Sequence, residues 1–438
     1  MKRQVIGAAA AMSLATTVLG FGIQAFAQSA SQQPTFFPSH FKGMGDLALI
    51  YGNNGLHVGQ LYTLVNTVVD GRNIVSTHHI AHNVVGATFS PNGKWLAVTV
   101  QAGQWRALWL VSSSGSQRQK LGNNLGSTAW MPGGSEFLYS HGKRAYKIAP
   151  GSQPVSMPLR LPADSRVQGF SVSSAGRRIA LDVTMHANNR AWYDEIGLWN
   201  TQSGRFSPLV KATVPNGLIV GPFTGNGQSL FYWDDPDHSA SVQADGLTLH
   251  SVTMSGRTQT VGHTFASGGF MPAGVQVFGS EQAVVWQTHS RYLFDPPKTI
   301  SIWHGRPIPA IASGVELFPS ISPDGRSIAF VYGKADPTMR PGPRGIQWLT
   351  SLKLATYPLA TGRLTAITSA GAGVSNPLFN QSGSKILFTR QNDVLWTRAD
   401  NRGSAVPVAV LPGTALQGYP QYGILYSVQI ADYLPSPK

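Results

Sequence analysis

"ATFSPNGKWLAVTV", residues 87–100, and "PSISPDGRSIAFVY", residues 319–332, write one pattern twice. Each carries a short apolar stretch, a Ser-Pro-Asn/Asp-Gly turn, a basic residue and a second apolar stretch. Glycine suits that turn because hairpins need positive φ, which a Cβ resists. Weaker copies align at Gly45, Gly134, Gly176, Gly227, Gly279 and Gly383, with Gly93 and Gly325 marking the two clear ones. By subtraction, successive glycines lie 48, 41, 42, 51, 52, 46 and 58 residues apart. Periods of this size are those of a repeat array.

A second set of turn glycines runs between the first: Gly71, Gly115, Gly151, Gly204, Gly256, Gly305, Gly362 and Gly403. Most follow an apolar stretch such as "ALWLV", "IGLWN", "ISIWH" or "DVLWT". Each unit therefore reads strand, turn, strand, connection, strand, turn, strand. Four strands per unit of about 40–50 residues is the arithmetic of a β-propeller blade. The fold class expected is all-β, a propeller of four-stranded blades, eight by this count. Seven is the alternative if the unit at Gly45 or Gly279 is incomplete. The first unit lacks a leading strand and the apolar run from Tyr422 to Ile430 is unassigned, so this run is expected to close the ring.

Composition agrees. The 438 residues are 42% hydrophobic, enough for a large core, and the 48 Gly and 29 Pro punctuate short apolar runs. The absence of Cys excludes disulfides, thiolate metal sites and a Cys nucleophile. Net charge is +14, from 33 Lys+Arg against only 19 Asp+Glu. The basic residues are scattered, without the concentrated stripe that nucleic acid requires, so no nucleic acid is expected. Few carboxylates also means few groups whose protonation unfolds the chain in acid.

The first 30 residues, "MKRQVIGAAAAMSLATTVLGFGIQAFAQSA", carry Lys2 and Arg3, an apolar run and Ala25-Phe26-Ala27, the form of a secretory signal cut after Ala27. An uncleaved anchor is the alternative; no later run is long enough to span a membrane. The expected division is a signal peptide over 1–27, an N-terminal segment over 28–44, one propeller domain over 45–430 and a tail over 431–438. The protein is expected outside the cytoplasm, secreted or in the cell envelope, as a monomer.

"SPNGKWLAV" and "SPDGRSIAF" resemble the PD40 (WD40-like) repeat of TolB-type propellers, and the repeats cover nearly all of the chain after the leader. The resemblance implies a propeller fold and leaves function open. It departs from TolB in the number of units and in having no room for an α/β domain before Gly45.

Between the two sets of turns, units four to seven carry long connections at 185–195, 233–246, 287–299 and 333–348. In a propeller these share a face, so they predict one built-up sector. Its candidate ligand-binding residues are Trp192, Tyr193, Asp194, Glu195, Asp234, Asp235, His238, Arg291, Tyr292, Arg340, Arg344 and Trp348. Aromatic rings beside carboxylates and guanidinium groups suit a sugar or a peptide. Trp109, Trp199, Trp303 and Trp396 recur at one strand position and read as packing. "DDPDH", 234–238, offers oxygens for Ca²⁺ but lacks the EF-hand spacing, so no metal or cofactor is assigned. In "THHIAH", 77–82, alternation along a strand separates neighbouring imidazoles, again without a metal.

No GxSxG elbow, HExxH motif or P-loop occurs. The function expected is therefore a non-enzymatic binding or scaffold protein whose long-loop face contacts an extracellular polysaccharide, cell-wall polymer, peptide or protein. The alternative is a propeller hydrolase or lyase acting on an extracellular glycan or lactone, served by a carboxylate pair such as Asp194 and Asp235.

Overall fold

The two turns that set the repeat are built alike. Ser90 Oγ donates to Asn92 Oδ1 at 2.7 Å, Lys94 N donates to the same oxygen at 3.1 Å and Trp95 N donates to Ser90 Oγ at 3.0 Å. In the twin, Ser322 Oγ reaches Asp324 Oδ1 at 2.6 Å, Arg326 N the same oxygen at 3.1 Å and Ser327 N reaches Ser322 Oγ at 2.9 Å. Gly93 and Gly325 close them at φ 70° and 69°. The side chains at the first and third positions thus satisfy backbone N–H groups that a tight turn strands.

The computed structural model describes residues 34–51, 59–186, 192–236, 245–266, 274–305, 308, 314–340, 343–410, 418–419, 424–425 and 428–435. Residues 1–27, read as a leader, and His238 lie outside these. Residues from Pro34 onward belong to one compact unit.

The strands form successive antiparallel meanders. Sheet I orders Val428–Leu434, Asp46–Tyr51, Gly59–Val69, Arg72–Phe89, Trp95–Ala102, Trp105–Ser112 and Arg118–Asn123. Sheet II holds Thr128–Trp130, Phe137–His141, Arg144–Ile148 and Val155–Met157. Sheet III holds Arg166–Val172, Ile179–His186, Trp192–Trp199 and Phe206–Lys211. Sheet IV holds Gly217–Phe223, Ser229–Asp235, Leu247–Thr253 and Thr258–Thr264. Among the described residues sheet V holds Val275–Phe278, Gln282–Thr288 and Lys298–Trp303. Sheet VI holds Gly314–Ile321, Ser327–Lys334, Lys353–Pro358 and Thr365–Ala366. Sheet VII holds Val374–Phe379, Lys385–Arg390, Asp393–Arg398 and Val406–Val410, with Thr35–Phe36 added at its edge.

From Gly93 onward the first set of turn glycines falls between consecutive paired strands, and so does the second set except Gly305, which follows the third strand of sheet V; Gly45 directly precedes Asp46–Tyr51. At Gly305 the left-handed residue is instead the preceding His304, at φ 57°. In sheet I, Arg72–Phe89 runs on as one strand, pairing with Gly59–Val69 along its first part and with Trp95–Ala102 along its last.

The first and last described strands both enter sheets formed by distant residues. Thr35 and Phe36, in the segment expected to precede the propeller, pair with Val410 and Ala409. The strand that pairs with Asp46–Tyr51 is Val428–Leu434, further along than the Tyr422–Ile430 run. Its polar side chains hide it from a search for apolar runs: Asp432 Oδ2 accepts Phe89 N at 2.6 Å and the Tyr433 hydroxyl donates to Met44 O.

Apolar residues fill the spaces between neighbouring sheets. Leu138, Leu181 and Trp199 join II to III; Ile196, Val220 and Tyr232 join III to IV; Trp233, Leu249 and Val285 join IV to V. Leu47, Leu64, Leu387, Val394 and Val408 join VII to the start of I. Two of the recurrent tryptophans span such a boundary by hydrogen bond: Trp199 Nε1 to Pro158 O at 3.0 Å and Trp396 Nε1 to His40 O at 2.8 Å. Among the described residues no helix is long and apolar enough to cross a membrane.

Candidate functional site

Within each four-stranded sheet the connection from second to third strand leaves at the edge opposite the tight turns. At that edge of sheets III and IV lies a groove of about 400 Å³, lined by Lys211, Asn216, Tyr232, Asp234, Thr248 and His263 among others. Alternation along Ser229–Asp235 aims Tyr232 and Asp234 to one face. His250, opposite Tyr232 in the register, stacks on its ring at 5.0 Å and 19°. His250 Nε2 donates to Asp234 Oδ2 at 2.8 Å, and Thr260 Oγ1 lies 3.3 Å from Nδ1. With its Nε2 proton given to the carboxylate, the imidazole accepts the threonine hydroxyl at Nδ1. Burial, and then the charge of Asp234, pushes the Tyr232 phenol up to about 12.

The other wall comes from sheet III. Lys211 Nζ sits 4.3 Å over the Tyr193 ring and 3.8 Å from Glu195 Oε1. At the rim His263 Nδ1 donates to Thr288 O at 2.6 Å, and its ring stacks on His289 at 4.3 Å. The groove thus presents an exposed carboxylate oriented by an imidazole, a lysine ammonium and a side-chain amide. That set takes a ligand rich in hydroxyl or amide groups.

Of the residues singled out in the sequence, Asp234 lines the groove, Tyr193 and Glu195 stand behind it against Lys211, and half-buried Trp192 begins the same strand as those two. Asp194 and Asp235 point the other way and are buried. Asp194 Oδ2 accepts Leu218 N at 3.0 Å, a bond from sheet III to the first strand of sheet IV. Asp182, also buried, is held well above the usual carboxylate range by burial first and then by Asp194, against a hydrogen bond from Val220 N, with Asp235 adding to the rise. Asp182 and Asp194 thus tie sheet III to the first strand of sheet IV.

The remaining candidates organise loops. Arg291 grips Asp245 through Nε at 2.6 Å and Nη2 at 2.5 Å, holding the connection 289–297 to the start of the neighbouring strand. Inside that connection the buried Lys298 ammonium donates to Thr288 Oγ1, Ser290 O and Asp295 O at 3.1, 2.9 and 3.1 Å. Tyr292 stacks on Phe294 at 5.6 Å, and Phe294 meets Trp348 edge-on at 6.0 Å. Trp348 lies on the short helix Pro343–Leu349, is buried, and donates its indole N–H to Lys334 O at 2.7 Å. Arg340 donates to Met339 O at 2.9 Å, and exposed Arg344 lies 4.0 Å from Asp336. Two of the four long connections are thus packed on each other. Among the described residues no group of three His, Asp or Glu could hold a metal.

Sequence reasoning missed Lys211, Tyr232, His250 and His263. All four sit inside strands, and only the register, which sequence does not give, brings them together.

No protein-family model matches the chain, and no curated protein matches it in sequence. Among solved structures it is similar to Porphyromonas gingivalis dipeptidyl peptidase 4, at TM-score 0.54 and 10% identity, over 87% of this chain and 60% of that one. It is similar to a eukaryotic initiation factor at TM-score 0.50 and 12% identity, over 93% and 92%. TolB from Acinetobacter baumannii aligns at TM-score 0.37 and 12% identity, over 90% and 68%. The fold is a β-propeller. That is the class the PD40-like turns imply, and at these identities the likeness concerns the fold of the propeller alone.

Proposed function

We propose that this propeller is an exported binding or scaffold protein that contacts an extracellular polysaccharide, cell-wall polymer, peptide or protein through the face where the long connections gather. The groove between sheets III and IV carries the reading: Lys211, Asn216, Tyr232 and Asp234 are presented together at the edge of the sheets that the turns leave free. Its hydrogen-bonding groups suit a polyhydroxylated or amide-bearing partner. Export rests on the leader-like first 27 residues.

In this reading the ring has eight blades. The long strand Arg72–Phe89 counts twice, as the last strand of one blade and the first of the next, and Val428–Leu434 supplies the inner strand that closes the first.

The test is a binding screen over glycans, cell-wall polymer and peptides, repeated with Asp234→Asn and Lys211→Met. Both side chains are largely exposed, so neither change removes core. A specific ligand should lose about tenfold in affinity in each variant, the size of one charge-assisted hydrogen bond. A specific ligand that binds both variants as it binds the wild type refutes the assignment of this groove. Deleting 333–348 is the poorer test, because Trp348 belongs to the core.

A further inference from the structure

The "THHIAH" stretch does something that alternation along a strand forbids. Tyr62 pairs with His79 and Leu61 with Ala81, so Ile80 is an extra residue, a β-bulge. The bulge changes the parity of the strand and brings His79 and His82, three residues apart, to one side with ring centroids 4.4 Å apart. They rim a cavity of about 340 Å³ whose floor is Ile80, Val98, Val100 and Val111, and whose remaining wall is Trp109 and Arg118.

Among the described residues lining this cavity, every charge is positive or can become so. Burial first, and then His82 and Arg118, lowers the pH at which His79 takes its proton. Gly59–Val69 contributes Tyr62, whose ring lies 5.0 Å from His79; Trp95–Ala102 contributes only Val98 and Val100. Arg118–Asn123 contributes Arg118, with Nε 3.4 Å from Gly115 O, and Lys120, with Nζ 5.9 Å from the Trp109 ring centre. His78 pairs with Thr63 on the alternate side of the strand. Two imidazoles and a guanidinium at this spacing repel a metal cation once protonated, and each offers N–H donors to an anion. An apolar floor beside an indole takes a ring.

We infer that this cavity is a second ligand site, separate from the groove between sheets III and IV, for an organic anion that combines a carboxylate with a ring-shaped apolar body. The carboxylate lies against His79, His82 and Arg118, and the ring covers the valine floor beside Trp109. Because an anion pairs best with protonated imidazole, affinity rises as pH falls, and bound anion raises the pH at which His79 titrates.

The probe is benzoate, added to the full chain while the imidazole resonances of His79 and His82 are followed by NMR at about pH 5.5 and about pH 8, either side of the ordinary imidazole value. Benzoate should shift both resonances saturably, with affinity about tenfold higher at the lower pH and about tenfold lower in Arg118→Gln, one charge-assisted contact in each case. Benzyl alcohol, the ring without the charge, and sulfate, the charge without the ring, should both bind more weakly. Equal benzoate affinity at the two pH values, no loss in Arg118→Gln, benzyl alcohol binding as tightly, or no saturable shift at all overturns the inference. Saturation by Zn²⁺ in place of benzoate makes the cavity a metal site and overturns it too.

Discussion

Asp46 begins the second strand of sheet I and is held up to about 6 by burial, against a hydrogen bond from Asn66 N to Oδ1 at 2.8 Å. The folded protein therefore binds this proton more tightly than the unfolded chain, whose aspartate has the ordinary 3.8. As pH rises from 3.8 to about 6, the unfolded state ionises first and stability is lost; below that window both states are protonated and the penalty vanishes. At about 1.4 kcal/mol per tenfold, the gap is worth about 3 kcal/mol. Part of the carboxylate is open to solvent, which screens it, so about 1–2 kcal/mol is the expected size. Asp46→Asn makes the neutral form permanent and keeps an oxygen for the Asn66 N–H. It should raise stability by that amount at pH 7, measured as the urea midpoint times the denaturant slope, and by almost nothing at about pH 2.5, below the window. Lower stability at pH 7, or an equal shift at both pH values, refutes the reasoning. Asp182 and Asp432, raised chiefly by burial, act in the same direction. Asp245 and Asp400, lowered chiefly by hydrogen bonds from Arg291 and Arg398, act in the opposite one at lower pH.

Gly93→Ala should cost about 2–4 kcal/mol in urea unfolding, because the residue sits at φ +70° and a Cβ would lie 2.7 Å from Asp46 Oδ2 and 3.2 Å from Leu434 Cδ2. Gly103→Ala, at φ +63° in open space, should cost only about 1 kcal/mol; equal costs in the two variants refute the crowding argument. Lys298→Met removes three hydrogen bonds, leaving Asp295 O without this donor while Ser290 O keeps the Thr288 hydroxyl, and should cost about 2 kcal/mol at pH 7 while speeding proteolysis within 289–297. Burial pushes the Lys298 ammonium down to about 8, so the wild type should gain stability as pH rises from about 8 toward 10.5, and the variant should lose that gain. An unchanged thermal midpoint in the variant, or the same alkaline profile, refutes the clamp.

Local features were legible and facing ones were not. The two turns at Gly93 and Gly325 carry their own hydrogen-bonding side chains within six residues, so composition and spacing suffice to find them, and strands follow on either side. Trp199 and Trp396 read correctly as packing because their strand position repeats, although the carbonyls they reach lie in other sheets or segments. Asp194 and Tyr193 are neighbours in a sequence cluster that looks like one site. The pleat sends them to opposite faces, one to a backbone N–H of the next sheet and the other to Lys211. Loop residues misled in a different way. Arg291 and Trp348 have the chemistry of ligand contacts, and each is spent on a carboxylate or carbonyl that only the folded connection brings near. In "THHIAH", a single extra residue at Ile80 reverses the outcome of a correct rule about strands.

The first and last described strands are exchanged: Thr35–Phe36 serves sheet VII, and Val428–Leu434 serves sheet I. Phe89 N and the Asp432 carboxylate that accepts it are 343 residues apart. During synthesis, sheets II to VI can pair within a local stretch of chain, whereas Asp46–Tyr51 waits for residues 428–434 before its second edge is paired. Contacts of such sequence separation carry the largest loop-closure entropy, and until they form the edge of Asp46–Tyr51 stays open to other chains.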